Sequence, residues 1–159
     1  MATGRTANKW TNFIVMPFAG TLRAIPINSV SACGITYDTQ EVMAWQDAIK
    51  GVLPTMPSAP IEVSGPFDTT AAGALPAISG SHTVLAPLCG AMTPCTLDIQ
   101  IGIQKAWTAG DPQFGITSTA SSGYILTQYT VDPNSMTYTA HFELLAGSGT
   151  PAWGTAAEA

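Results

Sequence analysis

Between residues 123 and 144 the chain alternates. Met136, Tyr138, Ala140, Phe142 and Leu144 are apolar, and Thr137, Thr139, His141 and Glu143 lie between them. A period of two is the strand period, so one face is apolar and the other polar. The preceding arm is rich in Tyr, Ile, Thr and Val, which suit a pleated surface. Asp132-Pro133-Asn134-Ser135 reads as a turn, because Pro presets φ while Asp and Asn side chains bond the local backbone. The stretch therefore predicts a β-hairpin. Residues 96–104 repeat the pattern, with Leu or Ile at every second position from Leu97 to Ile103. Strands with one wet face indicate an antiparallel sheet covering a core on one side.

Only one segment carries a helical pattern. Val42, Trp45 and Ile49 share a face at i, i+3 and i+7, Asp38 and Glu41 form a capping-box pair, and Lys50 and Gly51 suit the C-terminus. The spacing predicts a helix at about 38–50 flanking the sheet. Trp45 is its anchor, and Phe67, Tyr138 and Phe142 are further candidate core anchors.

Elsewhere punctuation dominates. Residues 1–20 read as an aromatic N-terminal arm. A first strand is expected around 22–27, with Pro26 at an edge or bulge. Residues 54–60 read as a Pro-rich linker, 61–67 as an alternating strand, and 69–81 as a loop of small residues. His82 to Leu85 resumes order and 89–94 turns. In 105–122, Phe114 and Ile116 suit a short strand within loop, and 147–159 read as a short tail. With 159 residues and no internal repeat, the expectation is a single β-rich domain over 1–159.

Composition narrows the function. Charged residues are 9% of the chain against roughly 25% in ordinary soluble domains, and hydrophobic residues are 46%. A surface with so few charges does little to repel copies of itself. Net charge is −5, and Arg5, Lys9, Arg23, Lys50 and Lys105 form no cluster, which argues against specific DNA or RNA binding. No basic amphipathic face and no apolar run of ~20 residues supports a membrane role. The N-terminus lacks the apolar stretch of a signal peptide. Three cysteines, Cys33, Cys89 and Cys95, then read as free thiols, with a Cys89–Cys95 bridge as the alternative.

No catalytic constellation emerges. No Ser sits in a nucleophile elbow, His82 reads as a strand-end residue, and His141 beside Glu143 reads as an exposed strand histidine. The two histidines lack zinc spacing, and Gly147-Ser148-Gly149-Thr150 lacks the Lys of a phosphate loop. No catalytic residue, metal ligand or cofactor is assigned.

The order of elements, with short pieces such as Val63-Ser64-Gly65-Pro66-Phe67-Asp68-Thr69 and Ser81-His82-Thr83-Val84-Leu85, resembles the tail tube (major tail) proteins of long-tailed bacteriophages over roughly residues 21–146. The resemblance implies a mainly β fold, two packed antiparallel sheets in a sandwich or barrel-like arrangement flanked by one helix. It implies hexameric rings stacked into a tube whose lumen is a continuous β-barrel. The partners would be copies of the chain and other virion proteins. The genomic DNA would pass an acidic wall without specific binding, in a virion assembled in the host cytoplasm. The loop contacting the next ring would map to 69–81 or 105–122. On the polar sheet face, Asp98, Gln100, Gln104, His141 and Glu143 are the candidate lumen-facing residues. Two rival readings stand beside this one: a capsid decoration or head–tail joining protein, and a small-ligand or carbohydrate-binding β-sandwich.

Overall fold

The computed structural model describes residues 10–31, 33–45, 49–75, 77–102 and 110–155. Six strands come first: β1 (Trp10–Pro17), β2 (Arg23–Ile25), β3 (Ser29–Ser31), β4 (Thr36–Val42), β5 (Gly51–Ser58) and β6 (Ile61–Pro66). The helix α1 (Ser81–Leu85) then runs into a 3-10 turn at Ala86–Leu88. Five strands follow: β7 (Cys95–Gly102), β8 (Pro112–Ile116), β9 (Tyr124–Asp132), β10 (Thr137–Leu144) and β11 (Ala152–Thr155). The chain is mainly β, as its alternation predicts.

Nine strands form one antiparallel sheet in the order β11-β8-β7-β9-β10-β6-β3, with β1 also on β7 and β2 on β1. The joint between β7 and β9 is a single pair, Cys95 opposite Tyr124. At this joint the sheet doubles over and does not close into a barrel. Phe13 of β1 and Phe142 of β10 are not strand partners, yet their rings lie 5.8 Å apart. The core fills the space between the halves, with Val15, Leu97, Ile99 and Phe114 from one and Ile61, Val63, Leu126 and Phe142 from the other.

The hairpin of β9 and β10 has the predicted turn, in which Asp132 Oδ1 accepts the Asn134 N–H at 2.9 Å. Tyr138, Ala140 and Phe142 are buried. Thr127 is an extra residue in β9, and the register shifts between His141 and Phe142. Across β10, Gly65 of β6 makes room for Tyr138. A Cβ there would lie 2.6 Å from Pro26 O and 3.1 Å from the Tyr138 ring. Tyr138 OH donates to Pro26 O at 2.8 Å, and this ties β10 to the end of β2.

Three segments differ from expectation. The N-terminal arm contributes a complete strand, because β1 pairs with β7 from Trp10 to Pro17. Phe13, Ile14 and Val15 are all buried, the signature of a strand covered on both sides rather than of an arm. The tail contributes β11, paired with β8. The third difference is the largest. Residues 36–42 are strand where the helix at 38–50 is expected, and their partner is 51–58, which takes in the end of that expected helix and most of the linker expected at 54–60. Residues 46–48 lie outside the described part. Pro54 and Pro57 bias the residues before them to extended backbone. A helix of about three turns is marginal without a face to bury, and this stretch has none. Trp45 is fully exposed, at 103% of its reference area, not buried on the sheet. Phe67 is half-buried and lies against His82, the ring centroids 4.9 Å apart and the planes tilted by 47°.

The small-residue loop after Phe67 is pinned. Asp68 Oδ1 accepts the Thr70 N–H at 2.8 Å and its hydroxyl at 2.6 Å. These bonds hold the Asp68 carboxyl below the usual carboxylate range. Ser81 Oγ donates to Pro66 O at 2.8 Å. A Cβ at Gly80 would lie 2.6 Å from the Thr70 backbone.

Candidate assembly surface

Strands β4 and β5 extend a pairing that begins inside the main sheet. At the root Ser29 faces Ser64 and Ser31 faces Glu62. Beyond a kink, Thr39 faces Pro54 and Val42 faces Gly51. Partner numbers add to 93 at the root and at the tip but to 94 at Thr36–Ser58 and Tyr37–Pro57, so the register slips by one residue and returns at the irregularity between Tyr37 and Thr39. The chain thus builds a β-ribbon in two parts, with β3–β6 in the main sheet as its root and β4–β5, a separate two-stranded sheet, as its outer part. Gly34, with φ 143, lies in the kink.

Every residue of β4 and β5 is exposed. Among them and the adjoining loop are Tyr37, Val42, Met43, Trp45, Ile49, Val52, Leu53 and Met56, large apolar side chains more than half in solvent. Glu41 and Lys50, which suit helix caps in the sequence, meet across the ribbon at 2.7 Å. Both are exposed, and such a pair contributes little stability. Thr55 Oγ1 donates to Asp38 O at 2.8 Å. An isolated two-stranded hairpin is marginal in water, and exposed apolar patches are the kind of surface at which interaction sites are found.

Among the described residues β3 and β11 end the strand order, and β2 is a further edge with β1 as its one strand partner. The β3–β4 edge carries no proline over 29–42. The ribbon's other strand carries Pro54 and Pro57, residues that block strand addition. Two clefts lie near these edges. One of about 220 Å³, lined by Asp98, Gln113, Gly115, Thr117, Trp153 and Thr155, borders β11. The other, about 190 Å³, lies at the ribbon root between Ile35, Met56, Pro57, Ala59, Leu144 and Pro151.

The five polar candidates do not share one surface. Asp98 and Gln100 alternate with buried Leu97 and Ile99 on β7. They point away from the core on one half of the sheet. Gln100 is 3% exposed, its amide donating to Gln113 Oε1 at 3.3 Å, so it lines no open surface of this chain. His141 and Glu143 flank buried Phe142 on the outer face of the other half, 3.9 Å apart. Gln104 lies outside the described residues. On the β6–β10–β9 face, Glu62, His141 and Gln128 form one row and Ser64, Thr139 and Thr130 another.

The thiols are free. Cys95 is buried, which pushes its thiol up to about 11, and burial also raises Cys33. Tyr124 and Tyr138 are raised, chiefly by burial. His82 Nδ1 lies 3.1 Å from Tyr129 OH beside Phe67, an aromatic packing contact without a nucleophile. Among the described residues no group of three or more metal-ligating side chains converges, and no helix is long and apolar enough to cross a membrane. Sequence reasoning missed the ribbon. Its signals were the two prolines of 51–58 and the Glu41–Lys50 pair.

No family model matches this chain, and no curated protein matches it. Solved structures do. The chain is similar to the sheath/tube terminator of an extracellular contractile injection system (PVC) in its extended state, at TM-score 0.57 and 15% identity, over 96% of this chain and 99% of that one. It is similar to the tube-terminating cap of the anti-feeding prophage, at TM-score 0.56 and 15% identity, over 98% and 95%. It is also similar to a chain of the PVC sheath–tube complex, at TM-score 0.50 and 16% identity, over 91% and 88%. At such identities the likeness is one of fold. The neighbours are components of multi-subunit injection particles, two of them from a terminator or cap.

Proposed function

We propose that this chain is a non-enzymatic structural subunit of a tail-like particle, in which copies join as a ring at the end of the tail tube. The observation that carries the proposal is the projecting ribbon, whose two strands are exposed along their whole length. The fold likeness to a sheath/tube terminator and a tube cap, over nearly the whole of each chain, supports the terminal position. The virion, with assembly in the host cytoplasm, is the corresponding location, and other tail proteins are the partners. Within the ring, the outer face of β6, β10 and β9 is the candidate lumen wall. It carries Glu62, His141 and Glu143 and, along these strands, no Lys or Arg. An acidic wall lets DNA pass without adhering.

A second reading, a tube subunit that stacks into many rings, is favoured by the likeness to a chain of the sheath–tube complex. Electron microscopy of the purified protein at high concentration separates them. Single rings or ring pairs are expected, and long tubes would favour the second reading. Monomers at every concentration, with no rings when tail components are added, would overturn both.

A further inference from the structure

Trp45 stands beyond the end of β4 with its whole side chain in solvent. Exposed aromatics of this size anchor interfaces, because one ring removes a large apolar area from water at low entropic cost. The same chain also holds an unfilled apolar socket. Ile35, Met56, Pro57, Ala59, Leu144 and Pro151 line the cleft of about 190 Å³ at the ribbon root. An apolar cavity of about 150 Å³ takes up benzene, so this cleft suits a single aromatic side chain.

Knob and socket sit at opposite ends of one ribbon. Met56 and Pro57 lie at its root, where Thr36 faces Ser58, and Trp45 follows Val42 at its tip. Six strand steps, roughly 20 Å at ~3.3 Å each, separate Thr36 from Val42. The ribbon holds Trp45 away from its own socket. The socket of a second copy has no such constraint. A contact between different patches of identical molecules is heterologous and leads to closed rings or open filaments.

We infer that Trp45 at the ribbon tip of one copy seats in the ribbon-root cleft of the next, against Met56, Leu144 and Pro151. This contact rests on the ring reading above and specifies the partner of the ribbon. Ser148 and Thr150 rim the cleft and stay polar at the edge of the contact.

The test uses the full chain and two variants. Trp45→Ala removes the knob. Met56→Glu puts a carboxylate on the wall of the apolar socket: Met56 lines the cleft and is 86% exposed, so the subunit's own core is left alone. Self-association is measured by sedimentation, folding by thermal melts at monomer concentration, and lipid binding by flotation with vesicles of anionic and zwitterionic phospholipid. Each variant is expected to weaken self-association by at least ~10-fold, with an unchanged monomer melt. The double variant is expected to be no weaker than either single one. Trp45→Ala assembling as well as the wild type would overturn the contact and leave the ring reading standing. Losses that add in the double variant would also overturn it, since independent sites add. So would a Trp45 requirement confined to vesicles. A wild type that never self-associates would bring down the ring reading and this contact with it.

Discussion

Gly65 shows at a single residue how the sheet is assembled. The Tyr138 ring and the Pro26 carbonyl occupy the space that a side chain on β6 would need. Gly65→Ala drives a methyl onto backbone atoms of Pro26 and Ile27, 2.6 and 2.9 Å away. It is expected to destabilise the fold by about 1–3 kcal/mol, as overpacking does, with urea unfolding as the measurement. Cys95 gives a pH prediction at the same scale. Burial raises its thiol from an ordinary 9.0 to about 11. The folded state therefore holds the proton more tightly than the unfolded chain. Stability from this group is fully present below pH 9 and is lost as pH rises toward 11. Cys95→Ala should flatten the decline between pH 9 and 10, measured as the denaturation midpoint against pH. Tyr124 and Tyr138, raised in the same sense, act above that window.

At the scale of elements, the ribbon and the central hairpin make opposite predictions for hydrogen exchange. In β10, Tyr138, Ala140 and Phe142 are buried and a strand lies on either side. In β4 and β5 every side chain is exposed and there is one partner only. Amides of the ribbon should exchange at least ~100-fold faster than those of β10 in the monomer, and slow when copies associate. Equal protection in dilute monomer would show that the ribbon is held by contacts other than its own pairing. The same contrast explains what the sequence made legible. In β7 and β10 each strand's own core face dictates the alternation, so period two is written in them. The ribbon has no core face, and no burial constraint writes a pattern there. Val42, Trp45 and Ile49 fell at helical spacing because apolar residues with no core face to fill need not follow a strand period. The pairing of residues 36–42 with 51–58 joins segments that flank a loop and follows from the neighbouring β3–β6 pair through a one-residue register shift, a non-local fact that local propensity does not contain. The polar candidates were legible as a wet face. Their division between two opposite faces was not, because it depends on the sheet doubling over at Cys95 and Tyr124.

For the whole molecule, the proposed ring requires one outer face to turn to a lumen and others to turn to neighbouring copies. On the β6–β10–β9 half, Thr139 lies between Ser64 and Thr130, with Glu62, His141 and Gln128 in the next row. Thr139→Lys adds one cation per copy to this face without touching the core, where Tyr138 and Ala140 are buried. The chain carries a net charge of −5, so the variant stays acidic overall, and any new polyanion binding would be local. If this face lines the lumen, the variant should still form rings, since no subunit contact is altered. Copies around a ring would then present their cations together. Short single-stranded DNA should be retained by the variant rings at low salt and released as salt rises, because neutralised phosphates give up their counterions, and the wild type is expected to retain none. The measurement is co-sedimentation of labelled oligonucleotide with rings at several salt concentrations. Loss of rings in Thr139→Lys, with an unchanged monomer melt, would instead assign this face to a subunit interface.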